Sequence, residues 1–135
     1  MAEPAEPAPG RLRPPDGLWR RRVASFGHAF RGVWAALNSE VHLRFHALAT
    51  VVVIGLGFYY AISRLEWALV SISVACVWSA ELMNTAIEAL TDLASPEYHP
   101  LAGKAKDVAA GAVLLAALGA LVVGLLVFGP RVFGR

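Results

Sequence analysis

The stretch Ala80-Glu81-Leu82-Met83-Asn84-Thr85-Ala86-Ile87-Glu88-Ala89-Leu90-Thr91-Asp92-Leu93 decides what kind of chain this is. It is largely apolar, yet Glu81, Asn84, Thr85, Glu88 and Asp92 recur at helical spacing. At about 100° per residue they share one helix face. An Asp-type charge at mid-bilayer costs about 2.5–3.5 kcal/mol on insertion scales, so three acids on one face of a membrane-grade helix point to chemistry. An interhelical hydrogen-bond network that merely joins helices accounts for Asn84 and Thr85, but it does not need three carboxylates.

The rest of the chain supports a membrane setting. Of 135 residues, 57% are hydrophobic and 16% charged, and the mean hydropathy is +0.56. A soluble domain carries about 25% charged residues. The length suits one domain. Cys76 is the single cysteine, so an intrachain disulfide is excluded and a packed thiol is expected. The N-terminus is Pro-rich and Arg-rich where a signal peptide would carry a short apolar core. Nucleic acid is not an expected partner.

Residues 1–16 form a Pro-rich stretch read as a disordered tail, and the membrane domain is expected over 17–135. An amphipathic helix is predicted over about 17–37, with Val23, Phe26, Phe30, Val33, Trp34 and Leu37 on one side. Arg20, Arg21, Ser25, His28 and Arg31 lie mainly on the other. Such a helix lies in the interface of an anionic membrane, or packs on the protein's own core.

Three spans follow, at about 45–63, 66–93 and 104–128. Their uncharged cores are Ala47–Ser63, Trp67–Ile87 (apart from its acidic face) and Val108–Phe128. Tyr59, Tyr60 and Trp67 resemble an aromatic belt around a short turn, Ser63-Arg64-Leu65-Glu66, which makes the first two spans an antiparallel hairpin. Ala94–Pro100 breaks the next helix. Six of the twelve basic residues (Arg11, Arg13, Arg20, Arg21, Arg22 and Arg31) fall within the first 31 residues, ahead of the first span, and Lys104 and Lys106 fall on the same side, which the positive-inside rule assigns to the cytoplasm. Arg131 and Arg135 dissent on the other side. Ala112, Ala116, Ala120 and Gly124 form a small-residue ridge for close helix packing, within or between subunits. Three spans make a thin bundle for several carboxylates, so an oligomer is expected. The fold class is an all-α membrane protein, an amphipathic helix plus three transmembrane helices.

Glu81 and Glu88 lie about 10.5 Å apart along the helix axis, too far to share one metal ion directly. They suit two depths: Glu88 near an aqueous cation or nucleotide, Glu81 near a hydroxyl from a lipid headgroup, and Asn84 between them. Glu40, just before the first span, is a second candidate carboxylate for a hard cation such as Mg²⁺. Its plain alternative is a solvated acid paired with Arg44. Lys104, Lys106 and Asp107 open the third span after Gly103. Cations there oppose the helix dipole, so either an anion visits or they are ordinary flanking charges. No Walker or kinase glycine loop, zinc spacing or nucleophile-elbow motif is present.

Glu81-Leu82-Met83-Asn84-Thr85-Ala86-Ile87-Glu88, then Asp92, Glu97-Tyr98-His99 and Gly103-Lys104-Ala105-Lys106-Asp107, together resemble the prokaryotic diacylglycerol kinase family, which includes undecaprenol kinases. The resemblance runs over roughly Phe26–Phe128 and extends to Glu40 with Arg44. It implies a homotrimeric bundle in the bacterial cytoplasmic membrane, N-terminus inside. Such an enzyme passes the γ-phosphoryl group of MgATP to a lipid alcohol at sites shared between subunits. By position, Glu81 looks like the general base and Glu40 and Glu88 like the Mg²⁺ ligands. Asn84, Gly103, Lys106 and Asp107 look like further nucleotide contacts. His99, Arg44 and His46 fall to the lipid-substrate side, and Asp92 matches a motif position. His46 stands where diacylglycerol-preferring members carry glutamate. That difference, Pro96 and Pro100, and Arg64-Leu65-Glu66-Trp67-Ala68 look more like the undecaprenol kinase branch.

Two other classes compete. A small proton- or cation-coupled transporter would explain Glu81 but not the gathering of Glu40, Lys106 and Asp107 at one membrane face. A scaffold built on the small-residue ridge would explain no carboxylate. Glu88→Gln separates them: a kinase loses Mg²⁺-dependent transfer, a transporter its coupling, a scaffold little.

Overall fold

The computed structural model describes residues 18–134, with side chains from Arg22 onward. The Pro-rich stretch 1–16 and the side chains of Arg20 and Arg21 lie outside the described part. Four helices follow in order: α1 Leu18–Ser39, α2 Val41–Tyr59, α3 Arg64–Ala94 and α4 Pro100–Phe133. Packing divides the chain into two units at Gly32/Val33. In the first, Val23, Phe26 and Phe30 are exposed, an apolar stripe of the kind a lipid surface covers.

In the second unit, α2, α3 and α4 are each long and apolar enough to cross a membrane. Most of their large apolar side chains, such as Leu48, Ile72, Leu115 and Leu126, face outward. A soluble protein would not expose apolar surface on that scale, whereas lipid or neighbouring helices cover it without penalty. α3 and α4 are the most closely packed pair, and α2 rests mainly on α3. The ridge residues Ala120 and Gly124 face Val53 and Val74 across a narrow apolar gap, so this part of the ridge serves packing within the chain. Ala112, at the ridge's other end, is exposed.

The helix ends explain where the expected spans shift. Uncharged residues continue to Ser63, but α2 stops at Tyr59 in a Schellman motif. The Ile62 amide donates to the Gly57 carbonyl and the Ala61 amide to the Phe58 carbonyl, at 3.1 and 3.2 Å. Ala61 takes the left-handed conformation (φ 47°) that glycine usually supplies. Ile62 is buried with Val70, Val127 and Phe128.

The turn therefore lies over Tyr60–Ser63. The residues Arg64-Leu65-Glu66, expected in the turn, already belong to α3, because Ser63 and Glu66 form a capping box. Glu66 also meets Arg131 of α4 through both guanidinium nitrogens, at 2.8 and 2.9 Å, tying the ends of α3 and α4. Trp67 packs on Gly57, where an added Cβ would lie 2.6 Å from the indole, and on Phe58. Of the expected aromatic belt, Tyr59 is the exposed member, while Tyr60 sits against Phe128.

α4 begins at Pro100, four residues before the predicted span. Proline at N1 loses no helical hydrogen bond, and His99 Nδ1 accepts from the Leu101 amide as the cap.

A polar cleft at one end of the bundle

The acidic face of α3 forms as its periodicity demands, and burial grades along it. Glu81 is 5% exposed, Asn84, Thr85 and Glu88 are half-buried, and Asp92 is exposed. Thr85 donates to the Glu81 carbonyl, so its hydroxyl is spent on the backbone. Glu81, Asn84 and Glu88 line a 340 Å³ cleft with His42 and His46 of α2, while α4 contributes Ala110, Val113, Leu114 and Ala117. The cleft thus has a carboxylate-and-imidazole side and an apolar wall, which suits a ligand with a polar head and an apolar body.

Inside it, His46 Nε2 lies 3.0 Å from Glu81 Oε1. Asn84 Nδ2 donates to Glu88 Oε1 at 2.8 Å. A carboxylate only accepts, so this contact fixes the amide orientation and leaves Asn84 Oδ1 toward the interior. That oxygen is buried and finds no hydrogen-bond partner among the described residues. An unmet buried acceptor costs about 1–3 kcal/mol, a cost that a donor or cation from a bound ligand would remove.

A second cleft, 240 Å³, opens at the α3–α4 connection and is lined by Asp92, Ser95, Tyr98, His99, Gly103 and Lys106 among others. Asp92 lies one helical turn beyond Glu88, so the two clefts are neighbours along α3. Lys106 forms an ion pair with Asp92. Because α4 begins at Pro100, Lys106 lies in its second turn, beyond the reach of the helix dipole that a start at 104 would have set against it, and its charge is met by an acid from α3.

The predicted site residues fall into three groups. Glu81, Asn84, Glu88 and His46 share the first cleft. His99, Gly103 and Lys106 share the second with Asp92. Glu40, Arg44 and Asp107 line neither cleft. Glu40 occupies the extended residue between α1 and α2 and makes no side-chain cap. Arg44 donates to the Asn38 carbonyl at 2.9 Å instead of pairing with Glu40. Asp107 is exposed.

His42, Thr50 and Trp78 join these groups without belonging to any of the sequence motifs. His42, His46 and Thr50 stand four residues apart on apolar α2, a polar stripe of the same kind as that on α3, and that spacing was the available signal.

The second oxygen of Glu88 suits Mg²⁺ by donor type, since Mg²⁺ usually takes one or two carboxylates and fills its remaining positions with water and phosphate; among the described residues no three His, Cys, Asp or Glu side chains gather around it.

Comparison with known proteins places these residues in a wider group. The prokaryotic diacylglycerol kinase family matches residues 27–128. The undecaprenol kinase of Bacillus subtilis (strain 168) is 43% identical over 111 residues, covering 82% of this chain and 90% of the relative. The diacylglycerol kinase of Pseudomonas aeruginosa is 35% identical over 109 residues, covering 81% and 88%. That of Escherichia coli (strain K12) is 31% identical over 102 residues, covering 76% and 84%.

Proposed function

We propose, from the premise that this chain belongs to the prokaryotic diacylglycerol kinase family and is a membrane lipid kinase, that it phosphorylates undecaprenol with MgATP at the cytoplasmic face of the bacterial inner membrane. The observation that carries the reading is Glu81, a buried carboxylate in a half-apolar cleft with a second, shallower carboxylate, Glu88, on the same face of α3. The acceptor preference draws on the 43% identity to an undecaprenol kinase against 30–39% to diacylglycerol kinases, and on the sequence features shared with the undecaprenol kinase branch.

In this mechanism Glu81 accepts the proton of the lipid hydroxyl as its oxygen attacks the γ-phosphorus. The bond from that phosphorus to the β–γ bridging oxygen breaks, and ADP leaves. Glu88, with Asn84 oriented by it, would hold the cation that accompanies ATP. Mg²⁺ bound there would supply positive charge to the phosphates. Lys106 leaves Asp92 and neutralises charge on the transferred group. Phosphoryl transfer asks the protein mainly for positioning and charge, and each of these residues supplies one or the other.

Glu40 and Asp107 line neither cleft of their own chain, so we assign them, with a homotrimeric assembly, to sites completed between subunits. His99 and Arg44 stand on the lipid-facing side of the same reading, with His99 Nε2 the ring nitrogen left over from capping.

The test is transfer from γ-labelled ATP with Mg²⁺ to undecaprenol and to diacylglycerol, side by side in mixed micelles. Labelled undecaprenyl phosphate is expected. Labelled phosphatidic acid alone would reassign the acceptor, and no labelled lipid with either would refute the proposal.

A further inference from the structure

Two polar bridges, one turn apart, join α2 to α3, the upper inside the cleft and the lower just beyond it. In the upper one, His46 Nε2 meets Glu81 Oε1 at 3.0 Å, with the two side chains 19% and 6% exposed. In the lower, Trp78 Nε1 donates to Thr50 Oγ1 at 3.0 Å, and the same hydroxyl donates to the His46 carbonyl at 2.7 Å. His46 and Thr50 are four apart on α2, and Trp78 and Glu81 are three apart on α3, so the pairs stack in register. Below His46 the gap between the helices is apolar apart from Thr50 and the indole, with Ala49, Val53, Val74 and Val77 around it. From α4, only Ala110, Val113, Leu114 and Ala117 line the cleft, and none carries a side-chain donor. Among the described residues, His46 is therefore the side chain that comes within ion-pair distance of the Glu81 carboxylate.

We propose that His46 is a positioning residue for the phosphoryl transfer. Its Nε2–H holds Oε1 and fixes the rotamer of Glu81, leaving Oε2 to meet the acceptor hydroxyl. The Thr50–Trp78 bridge holds the His46 turn of α2 at the height where this contact forms. The proposal rests on Glu81 being the base. Its physical content is geometric: a carboxylate free to rotate in a cleft this roomy spends much of its time misaimed, and a misplacement of about 1 Å can cost about a hundredfold in rate. A buried carboxylate with no donor is also costly, and the imidazole offsets that cost.

Two amides of different reach supply the test. In His46→Gln the side-chain nitrogen comes close to the position of Nε2, whereas in His46→Asn it falls short, near that of Nδ1. A general need for polarity or packing at this position would treat the two alike. Lipid phosphorylation should be measured for wild type, His46→Gln, His46→Asn, Glu81→Gln and the double variant Glu81→Gln/His46→Asn, each as full-length protein in micelles.

The expected result is kcat within about fivefold of wild type for His46→Gln and about 10–100-fold lower for His46→Asn, with KM for ATP within about threefold in both. In the double variant, the Asn substitution should slow turnover by no more than about twofold beyond Glu81→Gln. Equal turnover of His46→Gln and His46→Asn would overturn the proposal. So would a His46→Asn penalty that persists undiminished without the carboxylate. Glu81→Gln at wild-type turnover would remove the base assignment and this inference together, whereas a crippled Glu81→Gln beside an intact His46→Asn would remove this inference alone.

Discussion

Releasing Lys106 from Asp92 should tighten ATP binding slightly rather than destroy activity. Asp92→Asn is the perturbation. The two side chains are 36% and 67% exposed, so their ion pair is a surface pair. Such pairs contribute about 0.2–1 kcal/mol, because water screens the charges and two long side chains must be ordered. If ATP must take Lys106 from Asp92, that energy is lost on binding, and removing the acid returns it. At about 1.4 kcal/mol per decade, KM for ATP should fall between about 1.4-fold and fivefold. Turnover should stay within about threefold, since Asp92 lies outside the Glu81 cleft. Raised salt should shrink the difference, as expected of an exposed pair. The assay is initial-rate lipid phosphorylation against ATP concentration, at low and high ionic strength, for wild type and Asp92→Asn. A KM for ATP more than fivefold above wild type, or loss of turnover, would refute the reasoning and make Asp92 a direct contributor to nucleotide or metal binding.

Three further outcomes are expected. Glu81→Gln keeps the shape and one carbonyl oxygen for His46, so turnover should fall by about 10²–10⁴ while KM for ATP stays within about threefold; intact turnover would end its role as base. Glu88→Gln leaves an acceptor for Asn84 Nδ2 but removes a charge, so the Mg²⁺ concentration for half-maximal rate should rise at least about tenfold, read from a Mg²⁺ titration at saturating ATP. Ala61→Gly places glycine in the left-handed position of the α2 Schellman motif and should stabilise the protein by about 0.5–1 kcal/mol, seen as slower thermal inactivation in detergent; a lower stability would mean that the Ala61 methyl contributes packing there.

The sequence alone determined the all-α character, the three long apolar helices, and the face of α3 that carries Glu81, Asn84 and Glu88. These are local properties. Hydrophobic content and 3.6-residue periodicity act within one helix, and no other segment is needed to read them. The family motifs were legible for the same reason, as residue types at fixed spacings. The helix ends were less so: α2 stops at Tyr59, and α3 starts at Arg64, because of backbone bonds in the Schellman motif and the Ser63–Glu66 capping box, which a count of uncharged residues does not register.

Partnership between helices was decided only by the tertiary structure. His46 meets Glu81, Trp78 meets Thr50, Lys106 meets Asp92, and Arg131 meets Glu66, across 35, 28, 14 and 65 residues of chain. Each pairing depends on how far one helix slides and rotates against another. That register follows from how all the side chains at an interface interlock, from Gly57 under Trp67 to Ala120 and Gly124 against the Val53–Val74 gap. Packing of that kind is a collective property, and no single stretch of sequence carries it.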